Sequence, residues 1–156
     1  MSLSHAKKRN LQGSLLVALQ FALLLLLAVL AAPNALRGAV PIGTWIAAGV
    51  AIALAIWTLR HNRLGNFNIH PTPKTRATLV TTGPYRWIRH PMYTTVLIGA
   101  AALASISDPV QGWPAWAALA IVLLGKSIIE ERWMREKHFA YARDCCESKR
   151  FVPWVF

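Results

Sequence analysis

The chain has 156 residues, enough for one domain; 55 % of them are hydrophobic, yet the formal net charge is +11. That pairing excludes an ordinary soluble domain, because the apolar residues come in blocks and the charges fall in the gaps between them. It also disfavours a nucleic-acid partner, which asks for a soluble basic face with stacking aromatics; basic gaps beside apolar blocks suit anionic membrane lipids.

The first block, residues 11–32, has only Gln12, Ser14 and Gln20 as strongly polar members. The second, 41–59, carries no charge. Both approach the ~20 helical residues that cross a hydrocarbon core. A third block, 91–107, is shorter, and a fourth, 113–129, is interrupted only by Lys126. These blocks predict an all-α polytopic membrane protein of one domain, 1–156, with about four transmembrane helices. A cytoplasmic loop is expected over 60–90 and an interfacial helix over 130–148. The charged start and apolar run also suit a signal peptide, but the length and the later spans favour a retained helix. Gly49 with Ala53, and Ala100 with Ala104, sit four apart and predict close helix packing.

The basic residues alternate between gaps. Lys7, Lys8 and Arg9 precede the first span; Arg60, Arg63, Lys74, Arg76, Arg86 and Arg89 lie between the second and third. Arg132, Arg135, Lys137, Arg143, Lys149 and Arg150 follow the fourth, whereas the other two gaps hold only Arg37. The positive-inside rule then places both termini and the central loop in the cytoplasm. Cys145 and Cys146 fall on that side, which argues against a structural disulfide and for a packing role. Met134, His138, Tyr141 and Cys145 form a modest stripe along the last helix. The tail from Phe151 to Phe156 has a membrane-surface-seeking composition.

The most informative segment runs from Gly83 to Tyr93, with two arginines, a histidine, two tyrosines and two prolines at the mouth of an apolar block. Unsatisfied polar groups against hydrocarbon cost several kcal/mol each, roughly, so a cluster here reads as a site. Pro91 marks a helix start. The free N–H groups of Met92 and Tyr93, with Arg86 and Arg89, would then favour an anionic group. His90 adds a switchable donor or acceptor and Tyr93 an aromatic wall. Taken singly, these residues are equally ordinary as headgroup anchors and interfacial aromatics. Lys126 lies one turn before Glu130, in the less favourable order for a helical ion pair. An ionisable residue inside a span points to function, although a lysine near the end of a span also snorkels. Glu130 and Glu131 stand out on an otherwise basic side and suit a cationic ligand. No metal site is expected.

Leu79-Val80-Thr81-Thr82-Gly83-Pro84-Tyr85, then Arg89-His90-Pro91-Met92-Tyr93, then Glu130-Glu131 after another apolar block, resembles the integral-membrane methyltransferases. These include isoprenylcysteine carboxyl methyltransferase, which Asn66-Phe67-Asn68 also resembles, and the phospholipid N-methyltransferases. The resemblance covers about residues 60–153 and leaves the first span outside. It implies S-adenosylmethionine bound on the cytoplasmic side, in contact with Ala77, Thr78, Leu79, Val80, Tyr85, His90, Pro91, Met92, Tyr93 and Glu130. Lys126 stands where the family has a substrate-binding arginine, and Arg150 corresponds to a family arginine near the C-terminal proline. His138-Phe139-Ala140-Tyr141 departs from the family's Phe-Gly and tyrosines.

The residue chemistry is compatible with that resemblance. The cofactor's carboxylate suits the Pro91 helix start and Arg86 or Arg89; its amino group, sulfonium and ribose hydroxyls suit Glu130 or Glu131. A carboxylate acceptor needs only holding, by Lys126 or Arg150, whereas an amine needs a base, with Glu131 or His90 nearest. The expected partner is a lipid or prenyl-type acceptor entering sideways between helices, most like the isoprenylcysteine carboxyl type, with a phospholipid amine as the alternative. An NADPH-dependent sterol-type reductase and a non-enzymatic module, a helical scaffold or a haem carrier using His70 and His90, remain further alternatives.

Overall fold

The computed structural model describes residues 3–62, 80–137 and 149–151. Four helices account for most of them: α1 (Leu3–Leu36), α2 (Ile42–His61), α3 (Pro91–Ile106) and α4 (Pro109–Lys137), with a 3-10 turn at Gly83–Arg86 before α3. No strand occurs among the described residues; one isolated parallel bridge joins Ile88 to Lys149. The chain is an all-α polytopic membrane protein. Three helices have the length and apolarity to cross a membrane, over Lys7–Leu36, Ile42–His61 and Pro109–Arg135, and α3 is a shorter apolar helix.

The outward faces explain why the fold belongs in a bilayer. Leu15, Leu25, Val29, Trp45, Ile46, Ile52 and Ile121 are all exposed, far more apolar surface than a soluble monomer displays. The inward faces are narrow. On α1 the buried positions Gly13, Gln20 and Leu27 recur every seven residues, one narrow stripe along the helix. On α2, Thr44, Ala51 and Thr58 recur in the same way.

The shortest helix is the hub: α3 packs against α1, α2 and α4, while α1 also packs on α4. Alanines make this possible. Ala100 and Ala104 lie in a core with Leu27, Ala115, Leu119 and Leu123, where small side chains let backbones approach. The other small pair behaves differently. Gly49 and Ala53 are not buried, and Ala51, between them, supplies the buried contact. Spacing alone does not say which face of a uniformly apolar helix turns inward.

Polar groups close the helix ends opposite the site. Asn34 Nδ2 donates to the Ile106 carbonyl at 2.7 Å, and the Thr44 and Ser105 hydroxyls meet at 2.8 Å. The α3–α4 turn needs only Ser107 and Asp108. Asp108 Oδ1 accepts from the Val110 N–H at 2.9 Å and starts α4 at Pro109 rather than near Trp113. The turn is tight enough that a Cβ on Gly112 would lie 2.8 Å from the Ala104 carbonyl oxygen. From there α4 runs unbroken past Glu130 to Lys137. The expected tail of the interfacial helix, with His138, Tyr141, Cys145 and Cys146, lies outside the described residues, as does the Asn66-Phe67-Asn68 element.

Candidate active site

The site forms where the start of α3 meets the far end of α4. Pro91 occupies the first turn of α3 and His90 precedes it as the capping residue. The helix start offers fewer open donors than expected: the Tyr93 and Thr94 N–H groups donate to the His90 carbonyl at 3.0 and 3.2 Å. An anion there would depend on side chains more than on amides.

A short C-terminal strip pins this corner. The Lys149 N–H donates to the Trp87 carbonyl at 3.0 Å, and the Arg89 and His90 N–H groups donate to the carbonyls of Lys149 and Arg150 at 2.7 and 3.1 Å. Thr94 Oγ1 donates to the Phe151 carbonyl at 2.8 Å. These bonds put Arg150 beside Glu131 and the Phe151 ring 6.1 Å from His90 and 6.4 Å from Tyr93.

The paired acids are not equivalent. Glu131 is buried, with its side chain 3 % exposed, and is saturated with donors. Arg150 grips it with two bonds of 3.0 Å, and His90 Nε2 lies 3.2 Å away. Arg89 Nε at 3.6 Å and Arg135 Nη2 at 3.7 Å add two more guanidinium groups. Glu130 is the open one, 28 % exposed. It accepts the Tyr93 hydroxyl at 2.9 Å and lies 3.8 Å from His90 Nδ1. The imidazole thus faces one carboxylate at each nitrogen and stacks on Tyr93, with ring centres 5.2 Å apart and planes 5° from parallel.

The turn before α3 carries Tyr85 into the same corner. Gly83 has φ +62°, a left-handed conformation, and a Cβ there would collide with the His61 ring. Glycine therefore lets the turn lie directly on the end of α2. Tyr85 shares a hydrogen bond with Asn62 just past α2, and burial together with the Glu130 charge pushes its phenol up to about 12. Trp87 packs on Trp57 at 5.8 Å, while Arg86 is exposed.

Lys126 does not pair with Glu130. It is 1 % exposed, its ammonium donates to Gln20 Oε1 of α1 at 2.8 Å, and it sits 5.2 Å from the centre of the Tyr93 ring. Of the candidate residues read from the sequence, the structure brings together Tyr85, Arg89, His90, Pro91, Tyr93, Lys126, Glu130, Glu131 and Arg150. Met92 is half-buried on the first turn of α3 and Val80 half-buried before the 3-10 turn; Ala77, Thr78 and Leu79 lie outside the described residues. Gln20, Asn62 and Thr94 join the site with no role expected from the sequence, and Phe151, expected at the membrane surface, is buried beside His90 and Tyr93. Only Gln20 carries a signal, as a polar residue deep in an apolar run.

A family model for phospholipid methyltransferases matches residues 39–141. The chain belongs to the phospholipid methyltransferase family. It is therefore a membrane methyltransferase, of a family that acts on lipid-like substrates and uses a methyl donor. No curated protein matches the chain. The family match takes in α2, α3, α4, His90 and both glutamates. It stops short of Arg150 and Phe151 and begins after α1, so the candidate site draws residues from both sides of the matched region.

Proposed function

We propose that this methyltransferase uses S-adenosylmethionine, bound on the cytoplasmic side, to methylate the carboxylate of a lipid-like acceptor, as the isoprenylcysteine carboxyl methyltransferases do. The observation that carries the reading is the Tyr93–Glu130 hydrogen bond of 2.9 Å, with His90 stacked beside it. It joins the two sequence elements on which the resemblance rests. The cytoplasmic placement rests on the basic gaps, which all flank this end of the bundle.

The residues fit the cofactor. Glu130 is an open carboxylate for its amino group or ribose hydroxyls, and Tyr85, His90 and Tyr93 supply aromatic walls. Arg89 Nε is buried and lies 3.6 Å from Glu131, outside hydrogen-bond range, so it is the partly exposed remainder of the guanidinium that is offered to the cofactor's carboxylate. Ala77, Thr78, Leu79, Val80, Pro91 and Met92 complete the proposed lining. When bound, S-adenosylmethionine supplies a sulfonium-activated methyl group whose S–C bond breaks as the acceptor O–C bond forms, the bonding pair staying on sulfur.

The protein's part is positioning. Glu131 ties Arg150, His90 and Arg89 into one rigid unit, so His90 and Tyr93 hold fixed positions against Glu130. Lys126 holds the acidic end of the acceptor. A carboxylate acceptor releases no proton, which agrees with a Glu131 already engaged by two guanidinium bonds and poorly placed to act as a base.

The family's own description supports a second reading, N-methylation of a phospholipid amine. His90, flanked by Glu130, would then take the proton. Family membership leaves the reductase and haem-carrier alternatives without support. Purified protein given S-adenosylmethionine labelled in its methyl group, with N-acetyl-S-farnesylcysteine or dioleoylphosphatidylethanolamine as acceptor, separates the two. A base-labile methyl ester is expected; a base-stable methylamine would establish the second reading, and transfer to neither would remove both acceptors.

A further inference from the structure

Lys126 is the least ordinary side chain in the molecule. It lies within the apolar span of α4, 1 % exposed, and its ammonium's hydrogen-bond partner is a neutral amide, Gln20 Oε1 at 2.8 Å. Among the described residues it makes no ion pair; Glu130 acts on it only through space, one helical turn away. A cation left uncompensated in a span is expensive and marks a binding function. A glutamate at position 20 would have satisfied it fully. Glutamine fixes the ammonium in place yet leaves its charge unspent.

The rest of α1 is registered to keep that contact. Arg9 lies 5.5 Å over the Trp133 ring, and Leu27 packs in the core with Leu119 and Leu123. Arg9, Gln20 and Leu27 fall on one face of α1 and meet α4 at progressively earlier residues, as antiparallel neighbours must. The ammonium in turn sits 5.2 Å from the Tyr93 ring, whose hydroxyl reaches Glu130. One ring therefore spaces the cation from the open carboxylate.

We infer that Gln20 is a positioning and specificity residue that holds Lys126 as the binding point for an acidic oxygen group on the lipid acceptor, so that α1, outside the family match, supplies part of the acceptor site. The inference rests on the methyltransferase reading for its placement beside the donor site. The acidic group is a carboxylate or a phosphodiester, two sources of the same chemistry.

The test uses the full chain in detergent micelles, with Gln20→Glu, Gln20→Met and, as a control, Gln12→Glu on an exposed stretch of the same helix. Affinity is measured by native mass spectrometry for N-acetyl-S-farnesylcysteine and for dioleoylphosphatidylethanolamine, and by calorimetry for S-adenosylhomocysteine. Gln20→Glu should weaken binding of the acidic lipid at least tenfold and raise its KM with little change in kcat. S-adenosylhomocysteine affinity should stay within twofold, and Gln12→Glu should match the wild type. Gln20→Met, which frees the ammonium without neutralising it, should weaken binding less than Gln20→Glu does. The lipid whose affinity falls identifies the group. Unchanged lipid affinity in Gln20→Glu, or equal loss for lipid and S-adenosylhomocysteine, overturns the inference. A wild type that binds the lipid but not S-adenosylhomocysteine overturns the cofactor assignment, while the Gln20 comparison is still read from lipid binding.

Discussion

At the scale of single residues, the two adjacent acids have been given opposite environments, and that difference is measurable. Glu131 neutralises a crowd of cations from the segment before α3, from α4 and from the C-terminal strip. Removing one member of such a buried set leaves the others uncompensated, at about 3–5 kcal/mol. Glu131→Gln should therefore lower the melting temperature in detergent by many degrees, followed by circular dichroism. Tyr93→Phe removes one hydrogen bond to a half-open carboxylate, about 1 kcal/mol. It should leave the melting temperature nearly unchanged and weaken S-adenosylmethionine binding several-fold by calorimetry. Similar melting losses in the two variants would contradict the division of labour between the acids.

Tyr85 gives a pH signature. Its phenol is raised to about 12 by burial first and by Glu130 second. The folded chain thus keeps a proton that the unfolded chain releases near pH 10. Its contribution to stability is intact below pH 10 and is lost as pH rises toward 12. The tyrosinate absorbance difference between wild type and Tyr85→Phe should have its midpoint near pH 12; a midpoint near 10 would mean that the ring is not packed against Asn62 and Glu130.

At the scale of elements, the site depends on how closely its pieces approach. Gly83→Ala would introduce a Cβ against the His61 ring at a positive φ. The left-handed conformation costs about 1–2 kcal/mol before the clash is counted. The 3-10 turn should lift from α2 and carry Tyr85 with it, so cofactor affinity should fall more than overall helicity, comparing calorimetry with circular dichroism. Much of this scale is legible in the sequence. Apolar blocks separated by charge mark the helices, and polar residues crowded at Pro91 mark the corner of the site. Contacts between distant segments are not legible. Nothing in residues 149–151 announces a strip hydrogen-bonded to residues 87–90, because those bonds use backbone groups that every residue carries. Gln20 is visible as an oddity, but its partner Lys126 is fixed only by the packing of α1 on α4. The i, i+4 spacing of Lys126 and Glu130 puts both on one face of α4 in the less favourable order for an ion pair, and the fold gives them different partners, Gln20 and Tyr93. The extent of α4 exceeds its apolar block for a related reason: Asp108 and Pro109 precede the apolar run at 113–129 but act as the helix start.

At the scale of the whole molecule, the shortest apolar helix is also the best covered. With α1, α2 and α4 around it, α3 needs little lipid-facing surface of its own, and its start can sit below the surface where His90 and Tyr93 meet α4. The arrangement works only if this end of the bundle faces the soluble methyl donor. The proposed orientation puts that end in the cytoplasm, because the sole basic residue in the two opposite gaps is Arg37. With Cys145 and Cys146 replaced by serine, single cysteines at Arg37→Cys and Arg60→Cys would report the orientation, since both positions are exposed and lie at opposite ends of the α1–α2 hairpin. In cells making the protein, a membrane-impermeant maleimide should label the cysteine at position 37 and spare the one at position 60. In inverted vesicles the pattern should reverse. The opposite result would put His90, Tyr93 and Glu130 on the far side from the cell's S-adenosylmethionine, and the proposed chemistry would have no donor.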